Sequence, residues 1–268
     1  MADWGADTRM RATTGAQGGA WARRSLFLLI GQSNMAGRAE LDAETGVTRP
    51  RISRLTPRGT WEPAADPLHR ESPGLPGIGP GMSFALTVAL AMPDAAIGLV
   101  PCAVGGAPLA RWLKGADLFD AAVDRTRGAL ATGGSLAAIL WHQGESDALA
   151  VADAGTYEAR LRETIGHLRH ALGDATVPFI AGELGLFLPP AEFPGAAQVN
   201  AALRHLAGRV LRYACVSSLG LTDKGDRKHF DTASQRELGQ RYAAAYLGLV
   251  APARPGPAAM RPNGAQST

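Results

Sequence analysis

The sequence predicts an α/β protein with three layers, αβα, built around a mostly parallel sheet of five strands. Three observations predict this class. The chain has 268 residues, of which 46% are hydrophobic, so a sizeable core can form. Short apolar runs alternate along it with segments of helical period, which indicates successive βα units. No internal repeat is visible, which disfavours a solenoid.

Five apolar runs are short enough to be buried strands, and each of them is followed by a candidate helix or a long loop. The predicted strands are 25–30, 97–102, 136–141, 177–182 and 213–218. The predicted helices are 81–92, 117–131, 153–172, 192–209 and 232–248.

Two helices carry the clearest patterns. In 153–172, an apolar stripe recurs at steps of four, four, three and four, as expected of one helix face. Its members are Tyr157, Leu161, Ile165, Leu168 and Leu172. The helix over 232–248 opens with the spacing of a capping box, from Thr232 to Gln235.

We expect a single domain over 23–250, with tails over 1–22 and 251–268. The tails are rich in small and polar residues and lack periodicity. Residues 40–80 are rich in proline, glycine and arginine. A loop region this long is usually functional, and we expect it to wall one side of a cleft.

Composition excludes several classes of protein. The net charge is only +3, and 24 arginines and 3 lysines are scattered along the chain, so we expect no nucleic-acid partner. The apolar run 25–30 is too short for a membrane span or a signal peptide. We therefore expect no membrane partner and a cytoplasmic location, with export left open. Cys102 and Cys215 have no metal-type spacing, and we predict no metal, cofactor or disulfide.

Polar segments follow four of the predicted strands. They are Gly31 to Asn34, Ala103 to Pro108, Trp141 to Asp147, and the stretch from Asp223 to Asp231. Ligands of open parallel sheets bind beyond the carboxyl ends of the strands. We therefore expect these segments to meet at one edge.

Ser33 is the candidate nucleophile, with His229 as its base and Asp226 as the acid that orients the imidazole. An oxyanion hole would come from the backbone N–H groups of Ser33 and Gly106 and the side-chain amide of Gln143. Alone, each of these residues is more simply a cap, a turn or a surface residue. Their joint order at separate strand ends favours an enzyme.

Three further residues are candidates for supporting roles. Glu145 is either a second acid on His229 or an internal bracket that ties the third-strand loop to the first, and the bracket is slightly preferred. Asn34 and Trp112 are candidates for contact with the substrate. For Trp112, the reason is that a flat apolar ring suits a sugar face.

These residues lie in segments that resemble the SGNH (GDSL-type) hydrolase superfamily, and within it the carbohydrate esterase family six and sialate O-acetylesterase-like branch. The matching segments are GQSNMAG (31–37), WHQGESDA (141–148) and DRKHFDTASQRELGQRYA (226–243), with DPLHRESPGLPGIGPGMSFA (66–85) and IGLVPCAVGGAPLARW (97–112). The resemblance implies a flavodoxin-like fold and metal-independent removal of O-acetyl groups from carbohydrates. It implies Ser33, His229 and Asp226 as the triad, with Gly106 and Gln143 as oxyanion partners.

Two other functions are compatible with these residues. The same fold and triad could act on an acyl thioester or a lipid ester, or the chain could bind carbohydrate without turnover. The sequence does not predict the oligomeric state or which acetylated sugar is the substrate.

Overall fold

The structure, a computed structural model, describes residues 23–72 and 74–251. The predicted tails lie outside the described residues, except for Ala251. Its strands are β1 (Arg24–Gly31), β2 (Ile52–Leu55), β3 (Trp61–Pro63), β4 (Ala96–Pro101), β5 (Ser135–His142), β6 (Phe179–Gly182) and β7 (Tyr213–Val216). Its helices are α1 (Ser33–Ala36), α2 (Gly81–Ala91), α3 (Asp117–Ala131), α4 (Val151–Ala171), α5 (Ala196–His205) and α6 (Thr232–Val250).

The strands form one sheet in the order β3-β2-β4-β1-β5-β6-β7. Every neighbouring pair is parallel except β2 and β3, which are antiparallel. The predicted α/β class is confirmed, but the predicted number of five strands was wrong. The two additional strands lie within 40–80, where short segments rich in polar residues gave no periodic signal. They are strands because β4 offers β2 a free edge, and β2 then pairs with β3.

β1 lies at the centre of the sheet and is buried on both faces. Leu26, Leu28 and Ile30 point into one hydrophobic cluster, and Phe27 and Leu29 point into the other. All five are fully buried. This burial explains why the strand reads as a continuous apolar run rather than an alternating one. Each such side chain stabilises the fold by roughly 1.5–3 kcal/mol, so the end of β1 is firmly anchored.

The predicted helices are all present, with shifts at their ends. The stripe predicted on α4 is buried as expected. The start of α6 needs a correction, because its cap is Asp231 rather than a box that begins at Thr232. The Asp231 carboxylate accepts a hydrogen bond from the Ser234 N–H at 2.7 Å. α5 begins only at Ala196, since Pro194 and Gly195 directly precede it.

Cys102 and Cys215 are free and half-buried. Burial raises the pKa of both thiols, that of Cys215 to about 12. In the described part of the chain, no helix combines the length and apolar character that crossing a bilayer requires.

Asp66 generates a prediction about stability. Its carboxyl is buried, and burial raises its pKa to about 7, with Arg236 opposing that shift and Asp42 adding to it. An unfolded aspartate ionises near pH 3.9. The folded protein therefore holds a proton that the unfolded chain releases, and this contribution to stability is lost as pH rises towards 7.

We expect Asp66→Asn to remove this dependence. Between pH 5 and pH 7, the free energy of unfolding of the native protein should fall relative to that of the variant by on the order of 2–3 kcal/mol. Urea denaturation across this range measures the difference. Substitution of the exposed Asp94 by Asn controls for the loss of one acidic side chain. Parallel curves for the native protein and Asp66→Asn would contradict the prediction.

Candidate active site

The last residue of β1 is Gly31, and β5 passes too close at this position for any side chain. Gly31 has φ 132°, and a Cβ atom there would lie 2.1 Å from the carbonyl oxygen of His142. The next residue, Gln32, donates its N–H to that same oxygen at 2.8 Å. The chain then turns into α1, whose first residue is Ser33. The end of the central strand thus places a hydroxyl at the carboxyl edge of the sheet.

Ser33, His229 and Asp226 lie together at this edge. His229 Nε2 is 2.9 Å from Ser33 Oγ, and His229 Nδ1 is 2.7 Å from Asp226 Oδ2. The other Asp226 oxygen accepts hydrogen bonds from the backbone N–H groups of Lys228 and His229, at 3.0 and 2.7 Å. These are the distances that proton transfer from a serine to an imidazole requires.

The local environment keeps the imidazole neutral and the carboxylate charged. Burial lowers the pKa of His229 below the ordinary imidazole value, although Asp226 acts to raise it. Burial alone would raise the pKa of Asp226, but hydrogen bonds from the backbone and imidazole of His229 and from Lys228 bring it below its usual range. A neutral imidazole can accept a proton, and the charged acid fixes its tautomer.

The two backbone N–H groups predicted to form the oxyanion hole lie in the segments that follow β1 and β4. The N–H of Ser33 belongs to the first turn of α1, where helical N–H groups have no acceptor within the helix. Gly106 is exposed and has φ 71°, with open space around the position of a Cβ. Its loop is tied to the end of β1 by the hydrogen bond from the Val104 N–H to the Gly31 carbonyl, at 3.1 Å.

The structure does not bring the amide of Gln143 to the cleft. The side chain is fully buried, and Nε2 faces Gln32 Oε1 at 3.2 Å, the Ala107 carbonyl at 3.1 Å and Asp147 Oδ2 at 2.6 Å. Its oxygen accepts a hydrogen bond from the Tyr157 hydroxyl at 3.0 Å. This geometry does not support the predicted role as an oxyanion donor, because the amide hydrogens already face acceptors inside the protein.

Sequence reasoning missed the structural roles of Gln32 and Asp147. Gln32 Oε1 accepts hydrogen bonds from the N–H groups of Gly144 and Ser146, each at 3.3 Å. Asp147 accepts one from the Leu109 N–H at 2.8 Å. Together they join the loops that follow β1, β4 and β5. The only signal in the sequence was an unusually polar stretch beside the serine.

Asn34 and Glu145 contact each other rather than solvent. Asn34 is 1% exposed and its carboxamide faces partners inside the protein, so the structure gives no support to its predicted contact with the substrate. Its Nδ2 donates to Glu145 Oε1. Since Nδ1 of His229 is hydrogen-bonded to Asp226, the contact observed for Glu145 fits the bracket rather than a second acid.

Trp112 is also buried, which corrects its predicted role. Its ring is fully enclosed and packs edge-to-face on Trp141, with centroids 5.7 Å apart. It contributes to the core below the loops and offers no face to a sugar.

The loop over 183–195 packs against the segment that carries the histidine. The Phe187 and Phe230 rings lie 5.1 Å apart, and Arg227 forms a 2.8 Å ion pair with Glu192. The region 40–80 also reaches the site, where Ser72 Oγ accepts a hydrogen bond from the Gly105 N–H at 3.3 Å. Segments far apart in sequence therefore hold the loops of the site.

Comparison with known proteins relates this architecture to esterases. Residues 23–248 match the family described as carbohydrate esterase, sialic acid-specific acetylesterase. The chain is 34% identical over 241 residues to a protein of Arabidopsis thaliana named a probable carbohydrate esterase, covering 83% of this chain and 90% of that one. The X-ray structure of the Arabidopsis protein has a TM-score of 0.76 at 33% identity, covering 85% of this chain and 99% of that one.

More distant structures share the fold. The crystal structure of NanS has a TM-score of 0.72 at 19% identity and covers 84% of this chain and 97% of its own. A GDSL-like lipase from Parabacteroides merdae has a TM-score of 0.54 at 14% identity, with coverage of 85% and 97%. The three-layer fold is therefore that of the SGNH hydrolases, as predicted.

The contact between Gly31 and His142 generates a prediction about folding. We expect Gly31→Ala to lower the free energy of unfolding by more than about 3 kcal/mol, because the new Cβ would collide with backbone atoms. Gly173→Ala is the matched control, since Gly173 also has positive φ but open space around it. The control should lose only about 1–2 kcal/mol. Equal losses in urea denaturation would show that β1 and β5 can separate at little cost.

Proposed function

The chain belongs to the carbohydrate esterase family of sialic acid-specific acetylesterases and is an acetylesterase, and we propose that it removes O-acetyl groups from carbohydrates through an acyl-enzyme on Ser33. The observation that carries this mechanism is the hydrogen-bonded series from Ser33 Oγ through His229 to Asp226, at 2.9 and 2.7 Å. The predicted second acid and the amide donor have no part in it.

In the first step, Ser33 Oγ attacks the acetyl carbonyl carbon while His229 Nε2 takes the hydroxyl proton. The tetrahedral intermediate collapses, the bond to the sugar oxygen breaks, and the imidazolium returns its proton to that oxygen. In the second step, His229 removes a proton from water, which attacks the acetyl-serine. Acetate leaves, and the proton returns to Ser33.

The developing oxyanion would be stabilised by the backbone N–H groups of Ser33 and Gly106. Donors of this type cost no reorganisation during the reaction because the fold already holds them. Removal of one such donor typically reduces turnover by about 10²–10³-fold. Both donors would be main-chain groups, so no side-chain substitution removes them directly.

The carbohydrate substrate is supported by the family and by the relatives' names rather than by any contact in the site. The family description specifies sialic acid, and the Arabidopsis relative is named a carbohydrate esterase without a stated sugar. We therefore propose an O-acetylated carbohydrate as the substrate class, with acetylated sialic acid as the first compound to test.

Ser33→Ala tests the nucleophile. We expect turnover of 4-nitrophenyl acetate and of O-acetylated sialic acid to fall by on the order of 10⁴-fold or more, because the variant lacks the hydroxyl that would form the acyl-enzyme. Ser53→Ala, which removes a hydroxyl from β2, three strands from β5 and away from the triad, is the control and should keep native turnover.

Three outcomes would change the proposal. Full activity in Ser33→Ala would overturn the mechanism. A preference for octanoyl over acetyl esters would replace the carbohydrate substrate by a lipid-like one. Sugar binding without turnover in the native protein would show a binding protein on this fold.

The pH dependence tests the base. The neutral imidazole is the active form, so kcat/KM should rise with pH and level off above the pKa of His229 in the free enzyme. Because burial lowers that pKa, we expect the midpoint below about 6.5. Asp226→Asn removes a group that raises the pKa, so the midpoint should move lower still.

The same variant should lose on the order of 10³–10⁴-fold in kcat, because the imidazole loses the group that fixes its tautomer. Initial rates on 4-nitrophenyl acetate between pH 4.5 and pH 8 measure both effects. Near-normal activity in Asp226→Asn would rule out Asp226 as the orienting acid.

A further inference from the structure

The side chain of Asn34 uses all of its hydrogen-bonding capacity inside the protein. Nδ2 donates to Glu145 Oε1 and to the Lys228 carbonyl, the latter at 3.2 Å. Oδ1 accepts hydrogen bonds from the Phe230 N–H at 3.2 Å and from Gln235 Nε2 at 3.4 Å. A carboxamide offers two donors and two acceptor positions, and four partners face them.

Two of these partners flank His229. The Lys228 carbonyl belongs to the peptide group that precedes His229, and the Phe230 N–H belongs to the one that follows it. The carboxamide is therefore hydrogen-bonded to the main chain on both sides of His229. Asn34 is also the residue directly after Ser33, so one residue connects the backbone of the serine to the backbone of the histidine.

We propose that Asn34 is the positioning residue that sets the distance between Ser33 Oγ and His229 Nε2, and that Glu145 holds its carboxamide in the working orientation. The inference rests on the proposed function, since it assigns a role within that mechanism. Asn34 acts through His229 and touches no substrate.

Orientation matters because an asparagine amide can rotate by half a turn and exchange its donor and acceptor. The Glu145 oxygen accepts a hydrogen bond from Nδ2, and Gln235 Nε2 donates one to Oδ1. Gln235 also donates to the Asn34 carbonyl at 3.1 Å. An exchanged amide would place an N–H against the Phe230 N–H and an oxygen against the Lys228 carbonyl. Both contacts would be repulsive in a buried site.

Apart from the bond between His229 Nε2 and Ser33 Oγ, two further contacts hold the segment from Asp226 to Phe230, and neither of them involves the segment around Ser33. The Lys224 N–H donates to the His229 carbonyl at 3.0 Å, within the same loop. The ion pair between Arg227 and Glu192 is exposed and contributes little. Asn34 is thus the residue whose side chain connects the serine end of β1 to both neighbours of His229.

The primary test compares Asn34→Ala with Asn200→Ala. Asn200 is also a buried asparagine that forms two hydrogen bonds with the main chain. It accepts one from the Leu184 N–H at 2.7 Å and donates one to the Leu184 carbonyl at 3.1 Å. Both variants should lose stability. We expect Asn34→Ala to lower kcat on 4-nitrophenyl acetate by about 10–100-fold with KM nearly unchanged, as a misplaced catalytic group does. Asn200→Ala should lose less than threefold.

Substitutions at Glu145 and Asn34 test whether Glu145 orients the Asn34 carboxamide. Glu145→Gln retains an acceptor oxygen and should lose less than threefold in kcat, whereas Glu145→Ala should lose tenfold or more. Asn34→Asp places two carboxyl groups together and should be strongly impaired.

A measurement independent of turnover completes the test. Asp226, Lys224 and Lys228 are the charged groups that act on the His229 imidazole. Burial lowers its pKa, so release of the loop into solvent should raise the midpoint of its titration, followed by NMR. We expect this rise in Asn34→Ala and not in Asn200→Ala.

The inference is overturned if Asn34→Ala and Asn200→Ala show the same kcat and the same titration, or if Glu145→Ala keeps the native kcat. Failure of the proposed function gives a different result. In that case, the native protein would hydrolyse no acetyl ester, while the NMR comparison would still judge whether Asn34 holds His229.

Discussion

The contact between β1 and β5 at Gly31 is the constraint on which the rest of the site depends. The His142 carbonyl occupies the space of a side chain at residue 31, and it accepts the N–H of Gln32. The two strands therefore end together, and α1 begins at a fixed height above the sheet. Because β1 is buried on both faces, this end cannot shift without disturbing two hydrophobic clusters. The position of Ser33 is thus set by the core.

Buried polar side chains hold the loops in place beyond the ends of the strands. Gln32, Gln143 and Asp147 form a network that joins the segments after β1, β4 and β5, with Tyr157 closing it from α4. Buried hydrogen bonds of this kind are expensive to break, which favours one arrangement of the loops. The network also holds the loop that contains Gly106, whose N–H we propose as an oxyanion donor.

The histidine segment is held in a different way. Asp226 binds the backbone and imidazole of His229, and Asn34 binds the main chain on both sides of it. The resulting environment is partly desolvated, which favours the neutral imidazole, while the carboxylate stays charged through its hydrogen bonds. A charged acid and a neutral base can therefore lie side by side, as the proposed mechanism through Ser33 requires.

Periodicity and residue pattern were enough to predict the α/β class, the five strands β1, β4, β5, β6 and β7, the five longer helices and the order of the segments that meet at the site. These follow from periodicity and from polar residues at strand ends, which are local properties of the chain. The resemblance in those segments also identified the esterase family. Only the tertiary structure decided which side chains face the cleft. The sequence predicted that Gln143, Asn34 and Trp112 face the cleft, yet all three are buried, because burial depends on neighbours far along the chain. The sequence likewise did not predict β2 and β3, because β2 forms by pairing with β4, and β3 by pairing with β2, and neither has a clear pattern of its own.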